Sequence, residues 1–154
     1  NIVGIKDSSG DLQTTIEILR AVPSDFVVMQ GRDTLIFSAL QMGARGAVPA
    51  TCNIAPKLLV EIYEKFKKGD IEGSKAAQAR LHPLRMALTL GTAPGGVKSA
   101  LRELGRSIGP CRSPVALVGA DKIPKLKEAL AAAGLMTAPS GAMFPRRTAM
   151  PASS

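Results

Sequence analysis

The stretch Gly4-Ile5-Lys6-Asp7-Ser8-Ser9-Gly10-Asp11 holds the residues of this 154-residue chain best suited to covalent chemistry. Lys6 stands directly after the apolar run Ile2-Val3-Gly4-Ile5, which reads as a strand buried on both faces. Parallel α/β folds bind their ligands at the carboxyl ends of such strands. A charge there is costly unless it is paired or functional. Burial disfavours the ammonium form of a lysine, and a neutral amine can attack a ketone to form an imine. The protonated imine is an electron sink that stabilises a carbanion on the neighbouring carbon, which is aldolase chemistry without a metal. Position alone leaves a second description open, a solvated or salt-bridged lysine with Asp7 as its partner. His82, Cys52 and Cys111 show no zinc-ligand spacing. No metal or cofactor is therefore expected, and a reduced, cytoplasmic setting is the default.

The elements that must position Lys6 follow in a regular rhythm. Ser8 to Asp11 supply turn and N-cap chemistry. Leu12, Ile16, Leu19 and Val22 recur at helical spacing up to Pro23. Phe26-Val27-Val28-Met29 is a second apolar run, closed by Gln30-Gly31. Asp33 is expected to cap a helix carrying Leu35, Ile36, Ala39 and Leu40, which Gly43 ends. Gly46-Ala47-Val48 is a third, very short strand. Pro56 suits the first position of a helix carrying Leu58, Leu59, Ile62 and Phe66, which stops at Gly69. This βαβαβα pattern implies parallel strands with crossover helices. Ile71 to Leu90 reads as a helix that Pro83 should kink or split. Gly91 to Gly96 reads as a loop, Val97 to Leu104 as a short helix, and Ile123 to Leu130 as the last one.

Composition narrows the partners. Hydrophobic residues make up 45% and charged residues 21%, ordinary for a globular domain. Aromatic residues are only 3%, so the core must be aliphatic. The net charge of +8 divides into +2 over residues 1–90 and +6 beyond. The excess is scattered, and no stacking aromatics or reading motif accompany it, so no nucleic-acid partner is expected. A basic surface suits anionic metabolites. No apolar run approaches the roughly 18 residues of a membrane span, and no signal-peptide pattern opens the chain. An opening in mid-strand reads as a fragment.

The segment Ile2 to Asp11 resembles the sixth barrel strand of the dihydrodipicolinate synthase / N-acetylneuraminate lyase family. Gln30-Gly31-Arg32-Asp33 resembles the end of the seventh strand. Gly43-Ala44-Arg45-Gly46-Ala47-Val48-Pro49, with Asn53 and Pro56, is similar to the eighth strand and the turn after it. Pro94 to Leu104 with Lys98, and Arg112-Ser113-Pro114, are similar to the helical tail. The likeness runs in order over residues 1 to 136. It implies that Lys6 is the Schiff-base lysine, that Gly31 lies beside the pyruvate site, and that the Val48 backbone carbonyl faces the lysine. Glycine at 31 and 46 would keep the mouth clear for substrate, although a plain strand-end turn also accounts for it. Thr92-Ala93-Pro94-Gly95-Gly96-Val97-Lys98 departs from the Asn-Pro-x-Pro-x-Lys form of lysine-biosynthetic members and leaves the exact substrate open.

The resemblance implies an α/β fold: the last three βα units of a (β/α)₈ barrel (1–69) and a carboxy-terminal helical segment (70–136). The tail (137–154) has no counterpart in the family, and its composition of Pro, Ala, Ser, Thr, Met and Gly without periodicity reads as disordered. The resemblance also implies a pyruvate-dependent lyase, foremost a dihydrodipicolinate synthase that condenses pyruvate with an aldehyde on the route to lysine, in a homo-oligomer. A 2-keto-3-deoxy-sugar-acid aldolase, a 4-hydroxy-2-oxoglutarate aldolase and a sialic acid lyase stay open. So does an inert half-barrel that self-associates, because the strands expected to bring the carboxylate-binding residues and the proton-relay tyrosine are absent. Tyr63 cannot be that tyrosine, since it follows the eighth strand.

Overall fold

The computed structural model describes residues 1–106 and 108–137. The expectation of a disordered tail therefore falls outside the described residues from 138 onward. Three strands, β1 (Gly4–Asp7), β2 (Val27–Gln30) and β3 (Gly46–Ala47), form one parallel sheet in that order. Helix α1 (Leu12–Ala21) joins β1 to β2, α2 (Ile36–Gln41) joins β2 to β3, and α3 (Pro56–Lys67) follows β3. The chain continues as α4 (Ile71–Ala87), α5 (Gly95–Glu103) and α6 (Ile123–Ala132). The α/β alternation expected from the sequence is present.

Local chemistry explains most boundaries. The Asp11 carboxylate accepts from the Gln13 and Thr14 amides at 3.0 and 3.4 Å and caps α1, a contact that contributes about 1 kcal/mol. Pro56 occupies the first turn of α3, and Gly69 leaves that helix at φ +79, a left-handed conformation costly for residues with a Cβ.

Four expectations need correction. Asp33 does not cap α2. It opens a 3₁₀ turn (Asp33–Leu35), and its carboxylate turns away to accept from the Thr51 amide and hydroxyl at 2.8 and 2.6 Å. Pro83 does not split α4, which runs through it. The missing N–H removes one helical bond, while Leu81 and Leu84, buried on either side, keep the helix seated on the core. Helix α5 opens at Gly95, inside the expected loop, because the Pro94 carbonyl already accepts from the Lys98 amide at 3.0 Å. The run Ile2 to Ile5 is not buried on both faces: Ile2, Val3 and Ile5 are 79%, 75% and 44% exposed. Among the described residues, no strand pairs with the outer edge of β1.

The core lies on the helical side of the sheet. Ile36, Ile54, Leu58 and Ile62 pack in one cluster with Leu81, Leu84, Leu126 and Leu130. The helices after Gly69 therefore share a core with those that flank the strands. Burial of each such side chain contributes about 2 kcal/mol. Polar contacts set the register of α4. Ser74 Oγ donates to the Ile62 carbonyl at 2.7 Å. The Gln78 side chain accepts from the Phe37 amide at 3.0 Å and donates to the Asp33 carbonyl at 2.9 Å. Arg85 Nε stands 3.0 Å from Asp33 Oδ2, an ionic contact too oblique for a hydrogen bond.

Removing one partner of a buried pair leaves the other uncompensated. Arg85→Ala should lower the unfolding free energy by about 3 kcal/mol, measured by urea denaturation. A loss below roughly 1 kcal/mol, the scale of a surface pair, would show that solvent already screens Asp33.

Candidate active site

Side chains alternate faces along each strand. Strand pairing matches Lys6 with Met29 and Gly46, and Asp7 with Gln30 and Ala47. Gly4, Lys6, Met29, Gly31, Gly46 and Val48 thus share the face away from the helices, while Asp7, Val28, Gln30 and Ala47 look toward them. The two faces meet different fates: Asp7, Val28 and Gln30 are buried, and Lys6 is exposed.

The structure brings Lys6 and Gly31 together. Lys6 Cε lies 2.7 Å from where a Cβ would stand on Gly31. The lysine stem therefore leans from β1 across the end of β2. Ser8 Oγ and the Asp7 carbonyl close the same position, and the Gly31 amide donates to that carbonyl at 2.7 Å. Any side chain at 31 would have to displace the lysine or the backbone of β1. Val48 sits one strand further on, level with Gly31, and its amide donates to the Gln30 carbonyl at 2.9 Å. Lys6 and Val48 lie on opposite sides of Gly31, the one residue of the three without a side chain. The dry environment expected for Lys6 is not present. No element of the described chain covers its face, and its position at the strand end is kept while its burial is not.

Beneath Lys6, on the helix side, lies a polar network that the sequence reading did not single out. Asp7 Oδ1 accepts from the Ser9 amide at 2.8 Å and Oδ2 from the Thr15 hydroxyl at 2.6 Å. Gln30 Nε2 donates to Thr15 Oγ1 at 3.1 Å, and Gln30 Oε1 accepts from the Arg32 amide at 2.8 Å. The signal available in the sequence was polarity at inward strand positions. Asp7 and Gln30 fall on the face whose other members, Val28 and Ala47, are apolar. Desolvation raises the Asp7 carboxyl, but the hydrogen bonds from Thr15 and Ser9 outweigh it and hold the group below its ordinary value of 3.8.

Other marked residues have structural partners. Lys98 Nζ donates to the Gly109 and Pro110 carbonyls at 3.0 and 2.8 Å and pins the segment after α5. Tyr63 lies on α3, packed against the core and lining a groove with Met29, Gly46 and Pro49 at the open side of β3. Among the described residues, no three His, Cys, Asp or Glu side chains converge to hold a metal. No helix there is long and apolar enough to cross a membrane.

A parallel sheet that presents a lysine over a glycine at its carboxyl end defines a class, the α/β proteins that gather ligand chemistry at strand ends. Within that class the chain belongs to the dihydrodipicolinate synthetase family, which it matches over residues 1–133. It is 40% identical over 130 residues to the 4-hydroxy-tetrahydrodipicolinate synthase of Archaeoglobus fulgidus, covering 84% of this chain and 45% of that one. It superposes on the dihydrodipicolinate synthase of Thermotoga maritima with a TM-score of 0.82 at 31% identity, covering 87% of this chain and 46% of the other. A prophage protein of the family from E. coli K12, solved in complex with pyruvate, aligns with a TM-score of 0.80 at 25% identity over 88% of this chain and 47% of that one. The chain thus spans about 45% of the length of the relatives it matches.

Because folding lowers the Asp7 pKa, the unfolded chain binds more protons just below pH 3.8. The Asp7 contribution to stability is complete above that value and is lost as pH falls through the lower folded pKa. Wild type should therefore lose stability more steeply than Asp7→Asn on acidification below pH 3.8, as followed by denaturation at a series of pH values. Parallel curves would mean that the carboxylate is not held by these bonds.

Proposed function

We propose that this chain supplies the last three strands and the helical tail of a (β/α)₈ barrel whose Lys6 forms an imine with pyruvate. The reaction is that of a 4-hydroxy-tetrahydrodipicolinate synthase-like lyase. The observation that supports it best is the lean of Lys6 across Gly31, whose missing side chain leaves room for the lysine stem over the end of β2. The names of the relatives support the reaction class, and the pyruvate complex of the E. coli family member supports the keto acid. The unprotonated Lys6 amine attacks the keto carbon, the keto oxygen leaves as water, and a C=N bond remains. Loss of a methyl proton gives an enamine carbon that attacks the aldehyde partner. Gly31 gives the lysine stem room to reach the keto acid beside it, and the Val48 carbonyl offers an acceptor to the amine. Residues 1–69 form the barrel part and 70–136 the helical part, in a cytoplasmic homo-oligomer.

The remaining barrel strands would cover the Lys6 face and the exposed edge of β1. An amine shielded from water gives up its proton more readily. In the complete protein, borohydride reduction with pyruvate should add to Lys6 the mass of pyruvate less one oxygen atom, located by peptide mapping. A label on a different lysine would overturn the assignment.

A second reading concerns the chain by itself. Exposed Ile2, Val3 and Ile5 beside an unpaired strand edge favour self-association of an inert half-barrel. Size-exclusion chromatography of the isolated chain should then give a dimer or larger species. A stable monomer would count against pairing of two halves.

A further inference from the structure

The β2–β3 ladder stops one hydrogen bond early, for a reason visible in the side chains. The Val48 amide donates to the Gln30 carbonyl. In a regular parallel ladder the next bond would run from the Arg32 amide to the Val48 carbonyl. That bond is absent. The Arg32 amide instead donates to Gln30 Oε1 at 2.8 Å, and no donor among the described residues reaches the Val48 carbonyl. The Gln30 side chain thus takes the donor that would have occupied the carbonyl beside Gly31.

The direction of each bond in this network follows from Asp7. An ionised carboxylate only accepts, so the Thr15 hydroxyl must give its proton to Asp7 Oδ2. Its oxygen is then left to accept, which turns the Gln30 amide so that NH₂ faces Thr15 and oxygen faces Arg32. With the amide reversed, two donors would meet at Arg32 and two acceptors at Thr15. We infer that Asp7, Thr15 and Gln30 act as a positioning relay that holds the Val48 carbonyl free and Gly31 in place against Lys6. The three residues touch no reacting atom. They act through the backbone of residues 31, 32 and 48. Asp7 has its carboxyl held below the ordinary range by Thr15 and Ser9 despite desolvation, so the relay keeps its sense at neutral pH.

This inference rests on Lys6 being the imine-forming lysine, and the test separates the two. The rate of pyruvate trapping by borohydride at Lys6 is measured in the complete protein for wild type, Thr15→Val, Thr15→Ser and Gln30→Met, across pH and beside thermal melts. Thr15→Val and Gln30→Met should trap about tenfold more slowly, since small misplacements of reacting groups carry costs of that order or more. The pH midpoint of trapping should not move, and Thr15→Ser, which keeps the hydroxyl, should trap at the wild-type rate. If Thr15→Val fails to fold, Gln30→Met against Thr15→Ser carries the comparison. Wild-type rates in Gln30→Met would overturn the relay and leave Lys6 intact, as would a slowing that merely tracks the folded fraction. A shifted midpoint would also overturn it, by making Asp7 an electrostatic partner of the lysine. No trapping at Lys6 in wild type would overturn both readings.

Discussion

Burying a carboxylate at the end of a strand is unfavourable unless hydrogen bonds replace its water. At Asp7 the Ser9 amide and the Thr15 hydroxyl do so at 2.8 and 2.6 Å. Much else near the sheet's carboxyl end follows from this. The Ser9 contact fixes the turn into α1, and the Thr15 contact fixes the rotation of that helix over β1. Gln30, linked to Thr15, ties the end of β2 to the same point. One buried charge thereby sets the relative height of two strand ends and a helix start, and Lys6 sits immediately before it. The lysine's place over Gly31 follows from its neighbour's burial. Its own exposed side chain has little with which to order itself.

A second buried charge organises the next layer outward. Asp33 accepts from the Thr51 amide and hydroxyl and faces Arg85 of α4. The 3₁₀ turn after β2, the one after β3 (Ala50–Asn53) and the helical segment therefore converge on one carboxylate. Such pairs add little net stability compared with apolar packing, while breaking one leaves an uncompensated buried charge. Leucine contacts between α4 and its neighbours α3 and α6 are non-directional. The contacts of Asp33 with Thr51, Gln78 and Arg85 are directional and add a specific register to them. The helical tail is in this way registered to the rim that carries Gly31 and Val48.

Much of the fold was legible because hydrophobic period, caps and glycines agreed. Asp11 before Leu12, Pro56 before Leu58 and Gly69 after Phe66 each name a helix boundary and its cause. Lys6 and Gly31 were legible as neighbours only through a family likeness, since their distance depends on strand register. The tertiary partners of polar residues were not legible. Asp33 looks like a helix cap by position, and it became a tertiary acceptor because Thr51 and Arg85, remote in sequence, arrive beside it. Thr15 looks like a neutral helix residue, and nothing local says that its hydroxyl meets Asp7. The expected burial of Ile2 to Ile5 failed for a related reason. A run of apolar residues reports a capacity to be covered, while coverage depends on a second sheet edge or layer.

For the imine proposed at Lys6, two ingredients are separable. Geometry comes from within the chain: a buried carboxylate, a fixed amide and a glycine set where the amine's path runs. Desolvation must come from whatever covers the open face, since Ile2, Val3 and Lys6 meet no neighbouring layer. The hydrogen bonds that hold Asp7, Thr15 and Gln30 lie wholly within the described chain. Dryness requires surface from distant strands and cannot be local. In the barrel proposed above, closing this sheet would exclude water from Lys6 and supply the contacts that its exposed side chain lacks. The Asp7–Thr15 and Thr15–Gln30 contacts on the helix side are buried without any such covering layer.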